Sequence, residues 1–221
     1  MQVVSVNVGL PREVEWKNMT VMTGIFKQPV ERAVAVRRLN LDGDRQADLR
    51  VHGGAEKAVY AYPAEHYAFW REQLPDLALS PGYFGENLTT QGLAESTLFI
   101  GDRLRAGTAL LMVTQPRMPC YKLGMRFGRD DIIKRFLESR RSGFYFSVIE
   151  EGEVEASSEM HFVSRDPGQV SVTDVVNLYL DPLGDPELLQ RALRTEALPA
   201  SWRDHLRQRA AGRQESAARA Q

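Results

Sequence analysis

Cysteine is almost absent: Cys120 is the only one in 221 residues. A single thiol excludes an internal disulfide, a Cys-rich zinc site and an iron–sulfur cluster built within one chain. No apolar run approaches the roughly 20 residues that a membrane-spanning helix needs. Residues 1–10 lack a basic start, and Ser5 and Asn7 interrupt their apolar run. No secretory signal is read there, and the cytoplasm is the expected location. Charge of one sign is missing too, with 28 Lys and Arg against 29 Asp and Glu, a net charge of -1. Such a chain has no global field to hold nucleic acid or an anionic membrane, so neither is expected as a partner, and any anion site must be a local cluster. The glycine spacings of a Walker loop or a dinucleotide fingerprint do not occur, nor is a flavin fingerprint visible.

What is present is an ordinary globular composition, 43% hydrophobic and 26% charged, enough for one sizeable core and a small appended domain. Short β-branched or aliphatic runs at 3–8, 14–16, 23–26, 33–36, 98–102, 103–107, 109–113, 144–149 and 160–163 read as strands, the pattern of a barrel or sandwich. Pro29 is read as closing the third run and Pro116 as stopping the strand 109–113. Tyr67, Trp70 and Leu74 share a helical face over 64–74, and Ile132, Ile133, Phe136 and Leu137 share another behind an N-cap at Asp131, with Gly143 as the stop. From about residue 170 the character changes. Three short helices follow, capped at Thr173, at Asp185 with Pro186, and at Ser201, the last ending near Gly212 before a frayed tail.

Two stretches carry chemistry. In Gln115-Pro116-Arg117-Met118-Pro119-Cys120-Tyr121-Lys122, Pro119 stiffens the approach to the thiol and two cations flank it. Nearby positive charge favours thiolate, the form that attacks electrophiles and binds metals; an inert packing cysteine is the competing reading. In Arg50-Val51-His52-Gly53-Gly54, with Lys57 beyond, paired glycines and cations suit an oxyanion, and a plain hairpin turn is the alternative. Glu86 and Asn87, after Phe84-Gly85, offer either a ligand contact or a turn.

In combination, His52-Gly53-Gly54 with Lys57, Phe84-Gly85-Glu86-Asn87-Leu88, Gly101-Asp102, the segment around Cys120, and Gly143-Phe144-Tyr145-Phe146-Ser147-Val148 resemble the MOSC family, named after the C-terminal domain of molybdenum-cofactor sulfurase. The likeness runs to about Arg165, and the three helices look like the small C-terminal domain of the YiiM-like subgroup. Met112 stands where that family leads one to expect an acidic residue. The resemblance implies a mainly β, barrel-like MOSC fold with peripheral helices over 1–168 and a small all-α three-helix domain over 169–221. It implies a molybdenum cofactor, with Cys120 as the metal's protein ligand. It also implies reduction of N-hydroxylated compounds, including detoxification of hydroxylamino base analogues, and a homodimer. On that view Cys120 and His52 are the catalytic pair, with His52 the proton donor. Arg50, Lys57, Arg117 and Lys122 answer the cofactor phosphate, and Asn87 and Thr114 position cofactor or substrate. Electrons come from a separate donor protein. A carrier that holds the cofactor, or a persulfide on Cys120, without turnover is the alternative. A pyridoxal-phosphate protein is disfavoured, because only Lys57 and Lys122 lie near the motifs.

Overall fold

The computed structural model describes the backbone of residues 1–219 and the side chains of residues 1–212 other than Arg50 and Val51. In chain order the strands are β1 (Gln2–Val8), β2 (Arg12–Trp16), β3 (Met19–Thr23), β4 (Gln28–Val30), β5 (Val34–Val36), β6 (Val59–Pro63), β7 (Leu88–Gln91), β8 (Arg103–Ala106), β9 (Ala109–Pro116), β10 (Phe144–Glu150), β11 (Gly152–Val154) and β12 (Met160–Ser164). The helices are α1 (Leu49–His52), α2 (Glu65–Gln73), α3 (Tyr121–Phe127), α4 (Ile132–Ser139), α5 (Val172–Leu180), α6 (Pro186–Arg194) and α7 (Ala200–Arg219), with a 3-10 turn at Ala55–Lys57.

Eight strands form one sheet in the order β12-β8-β9-β10-β6-β7-β1-β4. Its neighbours run antiparallel except β6 and β7, which are parallel. The expected sheet-dominated fold with peripheral helices and a following helical region is therefore present, but the barrel is not closed: β4 and β12 end an open sheet. The pairs β2–β3 and β5–β11 stand apart as two-stranded ribbons.

β6 shows how the sheet organises the interior. All five of its residues are buried, and they alternate between faces, as strand geometry requires. Val59 and Ala61 join an aliphatic core that also holds Leu104, Leu111, Val113 and, from the C-terminal region, Leu188 of α6, Leu198 of the following turn and Leu206 of α7. Tyr60 and Tyr62 join an aromatic core with Trp70, Phe84 and Phe136. A strand covered on both sides reads as a continuous apolar run rather than an alternating one.

The structure departs from the sequence reading in several places. The ribbon strand β3 ends at Thr23, and residues 24–27 form a loop instead of a strand. Pro29 sits inside β4, where an edge strand tolerates a residue that cannot donate. Residues 98–102 are a turn, with Asp102 Oδ2 accepting from the Phe99 amide. β9 continues through Pro116, and α3 begins directly after Cys120, hidden in the sequence by Gly124 at its centre. Asp131 makes no side-chain cap; its carboxylate is held by Arg129 and Arg135, and α4 ends at Arg140 in the left-handed region rather than at Gly143. Ser171, not Thr173, caps α5 through a reciprocal box with Asp174. The last helix starts at Ala200 and passes Gly212, while Asp185 caps α6 as expected. The tail beyond residue 219, expected to be frayed, lies outside the described residues.

Candidate functional site

Cys120 occupies the joint between β9 and α3. The chain leaves β9 at Pro116, and Cys120 is extended, at φ −125° and ψ 171°, immediately before the helix. The Lys122 amide is thereby presented to the sulfur, and His52 hydrogen-bonds it from across the fold. His52 arrives there because α1 ends in Gly53-Gly54. Gly54 has φ 100° and ψ 162°, a conformation open essentially to glycine alone. The alternative reading of these glycines as a plain hairpin turn does not hold: they form this junction between α1 and a 3-10 turn.

That turn is fixed to β9. The Glu56 carbonyl accepts from Thr114 Oγ1 at 2.7 Å and from Gln115 Nε2 at 3.1 Å, and Thr114 Oγ1 also reaches the Tyr145 carbonyl at 3.1 Å. On the far side, Gln115 Oε1 accepts from Trp202 Nε1 of α7 at 2.6 Å. A chain of hydrogen bonds thus links the C-terminal helices to the segment that carries His52 and Lys57.

Burial pushes the Cys120 thiol up, but the His52 hydrogen bond, the Arg117 charge and the Lys122 amide outweigh it, and the thiol is brought down to about 7. At neutral pH the sulfur is therefore about half thiolate. Among the described residues no cluster of three His, Cys, Asp or Glu side chains could hold a metal. A metal at Cys120 would have one ligand from this part of the chain and would need a cofactor for the rest.

Cys120 and His52 open on a cavity of about 100 Å³ bounded by the loop around Gly24, by Arg45 to Ala47, and by Tyr60 and Tyr145. Its cations are Lys27, Arg45, Lys57, Arg117 and Lys122. Lys27 is buried against Asp44, whose other oxygen accepts from Asn87 Nδ2 at 2.8 Å. Lys122 donates to the Met22 carbonyl at 3.0 Å. Burial lowers the Lys57 ammonium, with Glu56 opposing the shift. Arg117 is buried with its guanidinium over the rings of Tyr60 and Phe136, at 5.5 and 5.0 Å from their centroids. Its Nη1 is shut off from solvent and has no hydrogen-bond partner. A buried cation with one unpartnered nitrogen, beside a part-ionised thiol, fits an anionic cofactor that also carries a thiophilic metal.

The sequence-derived candidates divide accordingly. Cys120, His52, Lys57, Asn87, Arg117 and Lys122 line this cavity. Asn87 does so with both ends of its amide engaged, Oδ1 by the Tyr60 amide and Nδ2 by Asp44. Thr114 does not line it and instead braces the 3-10 turn. The Arg50 side chain lies outside the described residues. Glu86 points away: its buried carboxylate accepts from Tyr67, Thr89 and two amides of the loop 82–86, and so shapes the wall that Phe84 and Gly85 present. Lys27, Asp44 and Arg45 were not found from the sequence. The signal was the glycine and proline around 24–29, which mark a loop rather than a strand. Gly24 is needed there because a Cβ would stand 2.4 Å from the Arg45 carbonyl oxygen.

Comparison with known proteins places these features. Residues 48–161 match the model of the MOSC domain, and residues 170–213 match that of the YiiM-like, 3-alpha helix domain. Protein YiiM of Escherichia coli is 38% identical over 183 residues, covering 81% of each chain. The crystal structure of YiiM from Geobacillus stearothermophilus superposes with a TM-score of 0.79 at 35% identity, covering 94% of this chain and 98% of that one. A protein named "Reductase" from Gibberella moniliformis is 33% identical over 159 residues, 70% of this chain and 28% of its own length.

Proposed function

As the chain belongs to the MOSC domain family and carries the YiiM-like helical domain, we propose that it binds a molybdenum cofactor through Cys120 and reduces N-hydroxylated compounds. The observation that supports this most is one arrangement: a thiol brought to about 7 and hydrogen-bonded to His52, facing the cavity that holds the unpartnered Arg117 Nη1. The family is associated with that cofactor, and one relative bears the name reductase.

In this reading Cys120 supplies the thiolate ligand. Arg117, Lys122 and Lys57, with the Arg45 and Lys27 found alongside them, supply the positive surroundings for the cofactor's phosphate. The cofactor, when bound, supplies the electron pair for the reduction. The balance is R–NHOH plus two electrons and two protons giving R–NH2 and water; the N–O bond breaks and the hydroxyl oxygen leaves as water. His52 is placed to deliver a proton to that oxygen, because it already hydrogen-bonds the sulfur at the reacting centre. Burial holds the Tyr60 and Tyr145 phenols above their ordinary value, so both stay protonated at neutral pH. Electrons are refilled by a separate donor protein.

Metal analysis tests the reading. Chain purified from cells that make the cofactor is expected to carry molybdenum near one per chain, and Cys120→Ala to carry none. With reduced methyl viologen, the loaded wild type is expected to convert an N-hydroxylated amine to the amine. Molybdenum in neither protein sinks the proposal. Molybdenum without turnover of any N-hydroxylated compound leaves the carrier reading, in which Cys120 is required and His52 is not.

A further inference from the structure

A groove of about 750 Å³ lies where the sheet meets the C-terminal helices, and none of its lining residues lines the Cys120 cavity. Arg103 of β8 and Met112 of β9 line it from the sheet, and Arg191 and Arg194 line it from the last turn of α6. All three arginines are exposed. Among the described residues none of the three makes an ion pair.

The β8–β9 ladder shows why Arg103 stands alone. Arg103 and Arg105 are two apart on one strand, so they share a face of the sheet. Arg105 finds Glu150 at 2.9 Å. Arg103 is directly opposed by Met112, and Met112 in turn by Ser147, so neither neighbour in its row supplies a carboxylate. The carboxylates that do line the groove are Asp166 and Glu196, and Asp166 Oδ1 is taken by the Gly168 amide at 2.8 Å. Three guanidiniums against two carboxylates make a local positive excess in a chain whose net charge is -1.

Exposed charges of this kind steer and orient a partner more than they tighten its binding. Arginine and methionine are also residue types that protein interfaces favour. The groove is tied to the site by β9: from Met112 to Pro116 the strand spans roughly 13 Å, and Cys120 follows in the next loop. With one cysteine the chain builds no iron–sulfur cluster of its own, so the electrons of the proposed reduction come from outside.

We propose that this groove docks the acidic face of the electron-donor protein, with Arg103, Arg191 and Arg194 as its contacts. The proposal rests on the reductase reading above. The docked donor is oxidised and gives up the two electrons that the conversion of R–NHOH to R–NH2 and water consumes. The encounter is transient and salt-sensitive, as small redox interfaces held by surface charge are.

The test measures binding first, with an immobilised acidic flavodoxin as the probe. The full chain is expected to bind it, more weakly as salt rises. Arg103→Glu together with Arg191→Glu is expected to bind about tenfold more weakly, and Arg103→Lys close to wild type. Met112→Glu, which alters no arginine but sets a carboxylate opposite Arg103, is expected to weaken binding as well. No binding by the wild type, binding that salt leaves unchanged, or full binding by the charge-reversed variant overturns the assignment. Turnover by the molybdenum-loaded chain then separates docking from chemistry. Reduced methyl viologen, a small donor that needs no docking face, is expected to drive wild type and charge-reversed variant equally. With photoreduced flavodoxin the variant's KM for the donor is expected to rise about tenfold. Equal losses with both donors also overturn the assignment. If the loaded wild type reduces no N-hydroxylated amine with methyl viologen while flavodoxin still binds, the reductase reading falls and the groove stands as a surface for an acidic protein. Turnover with methyl viologen but no flavodoxin binding leaves the reductase reading and removes the docking face.

Discussion

Opposing influences set the ionisation of the Cys120 sulfur. Burial alone would keep it a thiol; His52, Arg117 and the Lys122 amide bring it to about 7. In the cofactor-free chain, alkylation by iodoacetamide is therefore expected to rise with pH through a midpoint near 7, below that of an ordinary thiol. His52→Gln is expected to move the midpoint upward, because the hydrogen bond to the thiolate is lost while Arg117 remains. A midpoint that His52→Gln leaves unmoved would show that Arg117 and the Lys122 amide set it without His52. Half of this was legible in the sequence: the stiff proline, the flanking cations and the unique thiol all lie within one segment. The cation that matters most, Arg117, was visible there, although its packing on Tyr60 and Phe136 was not. Lys122 stands nearby in sequence, but its ammonium turns to the Met22 carbonyl and its amide serves the sulfur.

At the scale of elements, the site depends on a brace rather than on the elements that touch the cavity. Thr114 and Gln115 end β9 by gripping the Glu56 carbonyl, which holds the turn after His52. Thr114→Val keeps the shape and removes a hydroxyl within hydrogen-bond reach of two part-buried carbonyls, those of Glu56 and Tyr145. A cost of about 1–3 kcal/mol in urea unfolding is expected. The alkylation midpoint of Cys120 is expected to rise with it as His52 loosens. A stability loss with an unchanged midpoint would mean that the brace serves the fold alone. The sequence marks Thr114 as polar within an apolar strand, which reads equally as a ligand contact; only the pairing of β9 with β10 and the 3-10 turn decides between them. Secondary structure was most legible where the pattern is local, as in β1, α2 and β10. It failed where topology overrides propensity, as at the edge strand that accepts Pro29 and the helix that accepts Gly124.

Across the whole molecule, the change of composition near residue 170 marks a real change of architecture, and the helical region that follows shares a core with the sheet. Leu188, Leu198 and Leu206 pack into the same core as Leu104 and Leu111 of the sheet, and Trp202 is bonded to Gln115. The apolar faces of those helices were plain in the sequence; the surface they cover was not, because periodicity names a face and never its partner.

Arg117 has one more consequence. Its charge is buried on aromatic rings, and among the described residues no carboxylate is paired with it. Removing a cation from water costs several kcal/mol that ring contacts return only in part. The folded chain therefore begins with a deficit that an oxyanion can offset, so folding and anion capture are thermodynamically linked. The melting temperature of the cofactor-free chain is expected to climb with inorganic phosphate and to stop responding in Arg117→Met; an equal climb in that variant would place the linkage elsewhere. Should the proposed cofactor be the anion that Arg117 takes, cofactor-free copies are expected to unfold more often than loaded ones, and so to have the shorter lifetime.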